Sequence, residues 1–134
     1  TNVCISGCKF CNFHCKPHQT DRAFITTMEQ YCEKIDRTLR LGGDQLLLQG
    51  GLHPGLKIDF YERLFSGLKS RYPSLRLHAL GAPEVAHIAR ISGLTTLETL
   101  RDWIRCRAQE PRYSIQTCAG PSPPPNPRSR SGST

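Results

Sequence analysis

The 134-residue sequence has little apolar material and no long hydrophobic run. Only 37% of its residues are hydrophobic, which is below the usual share for a globular domain. No window approaches about 18 consecutive apolar residues, so a membrane-spanning helix is excluded. An apolar signal segment and an initiating methionine are also lacking. We therefore expect a cytoplasmic protein with no membrane partner, whose natural N-terminus precedes Thr1.

Positive charge is in only moderate excess over negative charge. The sequence has 18 Lys and Arg residues against 11 Asp and Glu, a formal charge of +7. This value permits binding to nucleic acid but does not by itself indicate it. Part of the excess lies in the C-terminal region, and we interpret most of the rest as a solvated surface. We therefore expect no nucleic-acid partner.

The seven cysteines are the most unusual part of the composition, because four of them fall within twelve residues. Without a secretion signal, such clustering favours a metal or iron–sulfur site over disulfides. Cys4, Cys8 and Cys11 have the spacing CxxxCxxC. Three thiolates on one short loop can bind three corners of an iron–sulfur cube and leave the fourth iron open for a ligand. Gly7 would let this loop fold tightly, and Phe10 would shield the cluster from water.

Two alternatives to the open cluster remain at this point. The cysteines could be ordinary free thiols, or a zinc site could use Cys8, Cys11, Cys15 and His18, because zinc accepts mixed cysteine and histidine ligands. A zinc site combined with the positive charge would suit a zinc- or nucleic-acid-binding module rather than an enzyme. Iron with acid-labile sulfide would indicate the cluster, and zinc without sulfide would indicate the module.

The first 102 residues alternate between helical and strand-like segments. The first predicted helix is capped by Thr27 and Gln30 and ends at Gly42 and Gly43, and a strand over 45–49, covered on both faces, follows it. A second helix is capped by Asp59 and ends at Pro73. A strand over 75–80 and a helix over 83–92 complete the series. Cys32 is expected in the core. This order implies parallel βα units. Two strands cannot close a barrel, so we expect the fold to begin before Thr1 and to continue further.

Two turns follow the predicted strands. Adjacent glycines at 50 and 51 would let a ligand approach the backbone closely, and Glu84 would be favourable in the first turn of its helix. Taken singly, each is equally well explained as a simple turn or a helix start. Because the carboxyl ends of parallel strands form the active face of βα barrels, we expect both turns and the cysteine loop to gather at one rim. His53 and His78 are further candidates for ligand contact, whereas His87 is expected to be a surface or packing residue.

These motifs together resemble the radical S-adenosylmethionine enzymes. The cysteine spacing is the cluster motif of that superfamily. Residues 48–54 (LQGGLHP) and 78–84 (HALGAPE) are similar to the branch that contains cyclic dehypoxanthinyl futalosine synthases, aminofutalosine synthases and deazaflavin precursor synthases. Residues 11–18 (CNFHCKPH) and 47–51 (LLQGG) look most like the first of these. The resemblance extends from residue 1 to about residue 102.

The resemblance implies an α/β fold, a partial TIM-like (β/α) barrel of which about half is present, and a role in the futalosine route to menaquinone. It implies that Cys4, Cys8 and Cys11 hold a 4Fe–4S cluster that binds S-adenosyl-L-methionine, with flavodoxin or ferredoxin as electron donor. The resulting 5′-deoxyadenosyl radical would take hydrogen from the ribose of dehypoxanthine futalosine, a nucleoside-derived substrate, and the sugar radical would close a spiro ring on the benzoate. The protein would bind, orient and exclude water.

The same resemblance indicates cofactor-binding residues. Gln49, Gly50 and Gly51 match the position at which the superfamily recognises the methionine amino group, and Phe10 and His78 are further cofactor candidates. The family has an acidic residue after the glycines, whereas this sequence has Leu52 there. A backbone or Gln49 contact must therefore substitute for it. No catalytic residue is assigned.

Residues 103–134 do not resemble the family and contain six of the ten prolines. If the reading frame is shifted to start at the last base of the Trp103 codon, allowed codons can encode the segment Pro-Gly-x-Gly-Ala-Glu-Ile-Leu. This segment is the one expected at this point in sequences of the family. We predict that residues 1–102 are the N-terminal part of a radical S-adenosylmethionine core domain and that residues 103–134 are an out-of-frame, disordered tail. The alternative is a genuine linker. With exposed strand edges and no complete pocket, the chain is expected to be unstable and inactive alone.

Overall fold

The computed structural model describes residues 1–107. These residues form a small α/β unit with a two-stranded sheet and four helices, in the order α1 (Met28–Arg40), β1 (Gln45–Leu48), α2 (Ile58–Arg71), β2 (Arg76–Ala79), α3 (Ala82–Ser92) and α4 (Thr96–Arg107). The predicted alternation of helix and strand is confirmed up to α3. Two strands do not make a barrel, so the part of the chain described is an α/β unit and no more.

The two strands are parallel, as the alternation with helices predicted. Leu46 pairs with Leu77 and Leu48 with Ala79, and the side chains of these four residues belong to or pack against the core. The opposite face of the sheet is open, because Leu47 is 65% exposed and His78 is also exposed. The prediction that the first strand is covered on both faces was therefore wrong for the described residues, since the core lies on one face only.

The core joins the sheet to α1, α2 and α4. Its buried members include Ile35 of α1, Phe65 and Leu68 of α2, Leu77 of β2 and Cys106 of α4. Cys32 is buried in the same cluster, as predicted. None of the helices within residues 1–107 is long and apolar enough to cross a membrane.

The first two helices begin in different ways. Thr27 and Gln30 form the predicted capping box, in which the Gln30 N–H donates to Thr27 Oγ1 at 3.4 Å and the Thr27 N–H donates to Gln30 Oε1 at 3.0 Å. The prediction that Asp59 caps α2 was wrong, because α2 begins at Ile58 and has no side-chain cap from Lys57. The Ile58 N–H instead donates to Ser92 Oγ of α3 at 3.0 Å. A contact from a distant helix thus replaces the local cap.

Helix α4 was not predicted, and it crosses the expected boundary after residue 102. Thr95 and Glu98 start it with reciprocal bonds, since the Thr95 N–H donates to Glu98 Oε2 at 2.8 Å and the Glu98 N–H donates to Thr95 Oγ1 at 3.2 Å. This Thr-x-x-Glu spacing is the local pattern that could have indicated the helix. Trp103 packs against the core and Cys106 is buried in it. The rest of the expected tail, residues 108–134, lies outside the described residues.

Candidate cofactor site

A cavity of about 760 Å³ opens at the carboxyl ends of the two parallel strands. The cysteine loop, the turn after β1 and the turn after β2 all line it. The structure thus brings together the three segments that the sequence placed at one rim. The lining residues on which the chemistry depends are Cys4, Cys8, Cys11, Gln49, Gly50, Gly51 and Glu84.

Backbone hydrogen bonds hold the cysteine loop against the turn after β1. The Gly51 N–H donates to Thr1 O at 2.9 Å, and the Ile5 N–H donates to Leu52 O at 3.0 Å. The far end of the loop returns to its start, because the Cys4 N–H donates to Cys15 O at 2.8 Å. Both ends of the loop are therefore fixed beside the strand end.

Two side chains that the sequence analysis did not assign also hold this loop. His14 Nδ1 lies 2.7 Å from Cys11 O, so the ring nitrogen donates its proton to that carbonyl. The Lys16 ammonium donates to Ser6 O at 3.2 Å. Neither contact has a local sequence pattern that would reveal it, because the loop conformation decides which carbonyls are within reach.

The three cysteines face one cavity but differ in their surroundings. Cys4 is buried, and the Leu52 N–H donates to its Sγ at 3.2 Å. Cys8 is exposed, with its Sγ 3.1 Å from the Ser6 hydroxyl, and Cys11 is half-buried. Thiols are the ligands that iron–sulfur clusters use, and hydrogen bonds to the sulfurs tune such clusters, so this donor set fits a 4Fe–4S cluster. In residues 1–107, no three His, Cys, Asp or Glu side chains are already grouped around a metal position.

Cys15 and His18, which the zinc alternative requires, do not join this site. Cys15 is fully buried, and its thiol donates to Gln19 O at 3.1 Å rather than lining the cavity. His18 is exposed and is also not part of the cavity wall. Neither residue therefore lines the cavity that Cys8 and Cys11 line.

The turn after β1 approaches the cysteine loop so closely that only glycine fits at position 51 and a side chain at position 50 would be tight. A Cβ on Gly51 would lie 2.2 Å from Val3 O and 3.0 Å from Cys4 Cβ. A Cβ on Gly50 would lie 3.1 Å from Thr1 O. The adjacent glycines predicted that a ligand could approach the backbone closely. In the structure, the protein's own cysteine loop makes this close approach.

Glu84 links the two turns that line the cavity. Its Oε1 accepts the Gly50 N–H at 2.8 Å, and its Oε2 accepts the Gly81 N–H at 2.7 Å. The sequence indicated only that Glu84 is favourable in the first turn of α3. Just before this turn, Leu80 adopts a positive φ of 61°, a conformation that is uncommon outside glycine and costs energy.

The structure does not bring His53, His78 or Phe10 to the cavity wall. His53 Nδ1 accepts the Gly55 N–H at 3.0 Å, so the ring folds onto its own turn, where burial lowers the pKa of His53. His78 lines a separate depression on the open face of the sheet. Phe10 is 100% exposed and shields nothing, whereas Phe13 and Phe24 line the cavity. Local spacing could not distinguish among these aromatic residues.

His87 was expected to be a surface or packing residue, and the structure shows it buried and hydrogen-bonded through both ring nitrogens. An Arg90 guanidinium nitrogen lies 3.1 Å from His87 Nδ1, and because arginine can only donate, Nδ1 is the acceptor. The proton therefore sits on Nε2, which donates to His53 O at 2.8 Å. His87 thus holds the far side of the turn after β1.

Comparison with known proteins gives sequence relatives but no matching fold. No protein-family model and no solved structure matches the chain. It is 40% identical over 101 residues to cyclic dehypoxanthine futalosine synthase from Streptomyces coelicolor and 35% identical over 102 residues to the enzyme of that name from Halalkalibacterium halodurans. It is 36% identical over 101 residues to 5-amino-6-(D-ribitylamino)uracil–L-tyrosine 4-hydroxyphenyl transferase from Methanococcoides burtonii.

Each of these alignments covers 75% or 76% of this chain but only 25% to 27% of the relative. The chain therefore spans about a quarter of the length of the curated relatives it matches. The relatives are synthases and transferases by name, and hence enzymes. Over the aligned region, the chain belongs to the branch of the radical S-adenosylmethionine enzymes that includes these synthases and transferases.

Proposed function

We propose that this chain provides the cluster-binding part of a radical S-adenosylmethionine enzyme that converts dehypoxanthine futalosine to its cyclic form in menaquinone biosynthesis. The observation that carries the proposal is that Cys4, Cys8 and Cys11 face the same cavity as the Gly-Gly turn. The 35% to 40% identity to two cyclic dehypoxanthine futalosine synthases supports the choice of substrate.

The residues around the cavity suit a 4Fe–4S cluster and S-adenosyl-L-methionine as cofactors. When bound, the cluster supplies the electron that splits the sulfonium of S-adenosyl-L-methionine. The Leu52 N–H, which already donates to Cys4 Sγ, stabilises negative charge on that sulfur. Phe13 and Phe24 line the cavity but are 86% and 56% exposed, so they would help to exclude water only when further parts of a complete enzyme cover them.

Gln49, Gly50 and Gly51 are proposed to receive the methionine end of S-adenosyl-L-methionine. The N–H groups of both glycines are already bonded, to Glu84 and to Thr1 O. An ammonium group can only donate hydrogen bonds, so it requires acceptors. Gln49 and Gly50 line the cavity, and their backbone carbonyl oxygens and the Gln49 amide oxygen are the acceptors that we propose compensate for Leu52 in place of an acidic residue.

We further propose that β1 and β2 are part of a larger (β/α) barrel. They are parallel, and their core lies on one face, as in a barrel surrounded by helices. The open face, which carries the 65% exposed Leu47, would then be enclosed by further strands. In this arrangement the cavity is one part of a larger substrate pocket, and flavodoxin or ferredoxin would deliver the electron to the complete enzyme.

A second candidate is a deazaflavin-type aromatic transfer reaction of the same branch. The 36% identity to the Methanococcoides burtonii transferase favours it as a specific alternative. Aminofutalosine synthase stays a prediction from the sequence resemblance. Turnover of dehypoxanthine futalosine, compared with that of 5-amino-6-(D-ribitylamino)uracil and tyrosine, would separate the two candidates in an enzyme that contains this region at full length.

Anaerobic reconstitution of the chain with iron and sulfide tests the proposal. We expect about four iron atoms and four acid-labile sulfides per chain. Cys4→Ser is expected to lose this cluster, whereas Cys15→Ser, with its buried hydroxyl able to donate to Gln19 O, is expected to keep it. Zinc without sulfide would contradict the proposal and favour a zinc-binding module. Equal loss of iron in both variants would also contradict it, because Cys4 would then not be distinguished from Cys15 as a ligand.

A further inference from the structure

Three polar side chains of α3 hold the backbone of the turn that connects β1 to α2. Glu84 accepts the Gly50 N–H at 2.8 Å, and Ser92 accepts the Ile58 N–H at 3.0 Å. Between them, His87 donates to the carbonyl oxygen of His53 at 2.8 Å. The two partners in each pair are 34 positions apart in sequence. Helix α3 therefore runs alongside the segment from Gly50 to the first residue of α2.

Glu84 differs from the other two because it reaches both turns at the cavity. One carboxylate oxygen accepts from the turn after β1 and the other from Gly81 in the turn after β2. Hydrogen bonds from backbone N–H groups to a carboxylate are charge-assisted and stronger than neutral ones. Glu84 also lines the cavity itself. A single side chain therefore fixes the spacing of the two turns where the cavity opens.

We infer that Glu84 is a positioning residue for the S-adenosyl-L-methionine end of the site, an inference that rests on the proposed function. Its bond to Gly50 fixes the neighbouring Gly51, whose backbone lies against Val3 and Cys4. The conformation of the turn after β1 thus depends on the Glu84 carboxylate of α3. The positions of the carbonyl acceptors in this turn depend on it as well. The bonds that join the cysteine loop to this turn, at Gly51 and Leu52, do not involve Glu84, so iron binding is expected to persist when Glu84 is lost.

The test compares Glu84 with Glu98, which provides a matched control. Both glutamates accept an N–H at the start of their own helix, but the hydrogen bonds of Glu98 stay within residues 95–98, whereas Glu84 also reaches Gly50. Glu84→Ala, Glu84→Gln and Glu98→Ala are made both in the 134-residue chain and in a full-length enzyme that contains this region, because the chain alone is expected to be unstable. Three quantities are measured: hydrogen exchange of the Gly50 amide by NMR, iron and sulfide content, and the dissociation constant for S-adenosyl-L-methionine.

In Glu84→Ala we expect Gly50 exchange to accelerate roughly tenfold to a hundredfold, because a hydrogen bond to a charged group is lost. S-adenosyl-L-methionine affinity should fall by at least about tenfold for the same reason, with iron content unchanged. Glu84→Gln, which keeps one amide oxygen acceptor, should lie between wild type and Glu84→Ala. Glu98→Ala should leave both Gly50 exchange and the dissociation constant at their wild-type values.

Equal Gly50 exchange and equal affinity in Glu84→Ala and Glu98→Ala would overturn the inference, since Glu84 would then be only a helix cap. Failure of the proposed function has a different signature. If the wild-type chain binds neither iron with sulfide nor S-adenosyl-L-methionine, the cofactor assignment is refuted. Gly50 exchange then still decides whether Glu84 fixes the turn, because that measurement requires no cofactor.

Discussion

The contact between Gly51 and the cysteine loop leaves no room for a side chain, so Gly51→Ala is a sharp perturbation of the site. The added Cβ would lie 2.2 Å from Val3 O, 2.7 Å from Val3 C and 3.0 Å from Cys4 Cβ. Atoms at ordinary contact are about 3.5–4.0 Å apart, so the turn must withdraw from the loop by more than about 1 Å. Three hydrogen bonds span this gap: the Gly51 N–H donates to Thr1 O, the Leu52 N–H to Cys4 Sγ and the Ile5 N–H to Leu52 O.

The expected cost follows from these contacts. Overpacking of this kind costs typically about 1–3 kcal/mol, and each lost hydrogen bond adds about 1 kcal/mol. If all three bonds are lost, we therefore expect Gly51→Ala to lower the free energy of unfolding by roughly 4–6 kcal/mol and to reduce cluster loading, because Cys4 is displaced. Urea unfolding and iron analysis measure the two effects. Gly55→Ala is the control in the same turn, since its Cβ would meet only the His53 ring, at 3.6 Å. Wild-type stability and iron content in Gly51→Ala would refute the reasoning.

Two further predictions concern pH and the end of the family resemblance. Burial, with the negative charge of Glu84 and then Tyr31 adding to it, raises the pKa of Tyr61 to about 12. The folded state therefore holds this proton more tightly than the unfolded state, so the resulting stabilisation is complete below about pH 10 and is lost as the pH rises towards about 12. Tyr61→Phe should remove this part of the alkaline destabilisation, and an unchanged pH profile of urea unfolding would count against it. We also propose that the gene is frameshifted near codon 103. Sequencing from the codon of Leu100 onward should then reveal one inserted or deleted base that restores a family-like frame, whereas an unbroken frame would show that the C-terminal region is a genuine part of this protein.

The start of α1 and the direction of the sheet could be predicted because they depend on local patterns. The Thr27 capping box and the alternation of strand and helix are contained within a few neighbouring residues. The gathering of the cysteine loop with both turns followed from the geometry of parallel strands. Local patterns therefore sufficed to locate the candidate site.

Contacts between distant residues could not be predicted in the same way. Glu84 and His87 meet partners 34 positions away, and nothing in the neighbouring sequence identifies those partners. The exposure of Phe10 depends on which way the cysteine loop turns, and the open face at Leu47 depends on which elements pack against the sheet. Asp59 is a residue type that commonly caps helices, but the Ile58 N–H donates its hydrogen bond to Ser92 of another helix instead. These features are decided by tertiary packing.

The central claim is that Cys4, Cys8 and Cys11 hold an iron–sulfur cluster at the cavity that they line together. The most direct test is to quantify iron, acid-labile sulfide and zinc in the anaerobically reconstituted chain, and to record its EPR spectrum after reduction with and without S-adenosyl-L-methionine. The account predicts about four irons and four sulfides per chain, and a spectrum that changes when S-adenosyl-L-methionine is added. Bound zinc without sulfide, or a reduced-cluster spectrum that S-adenosyl-L-methionine leaves unchanged, would contradict it.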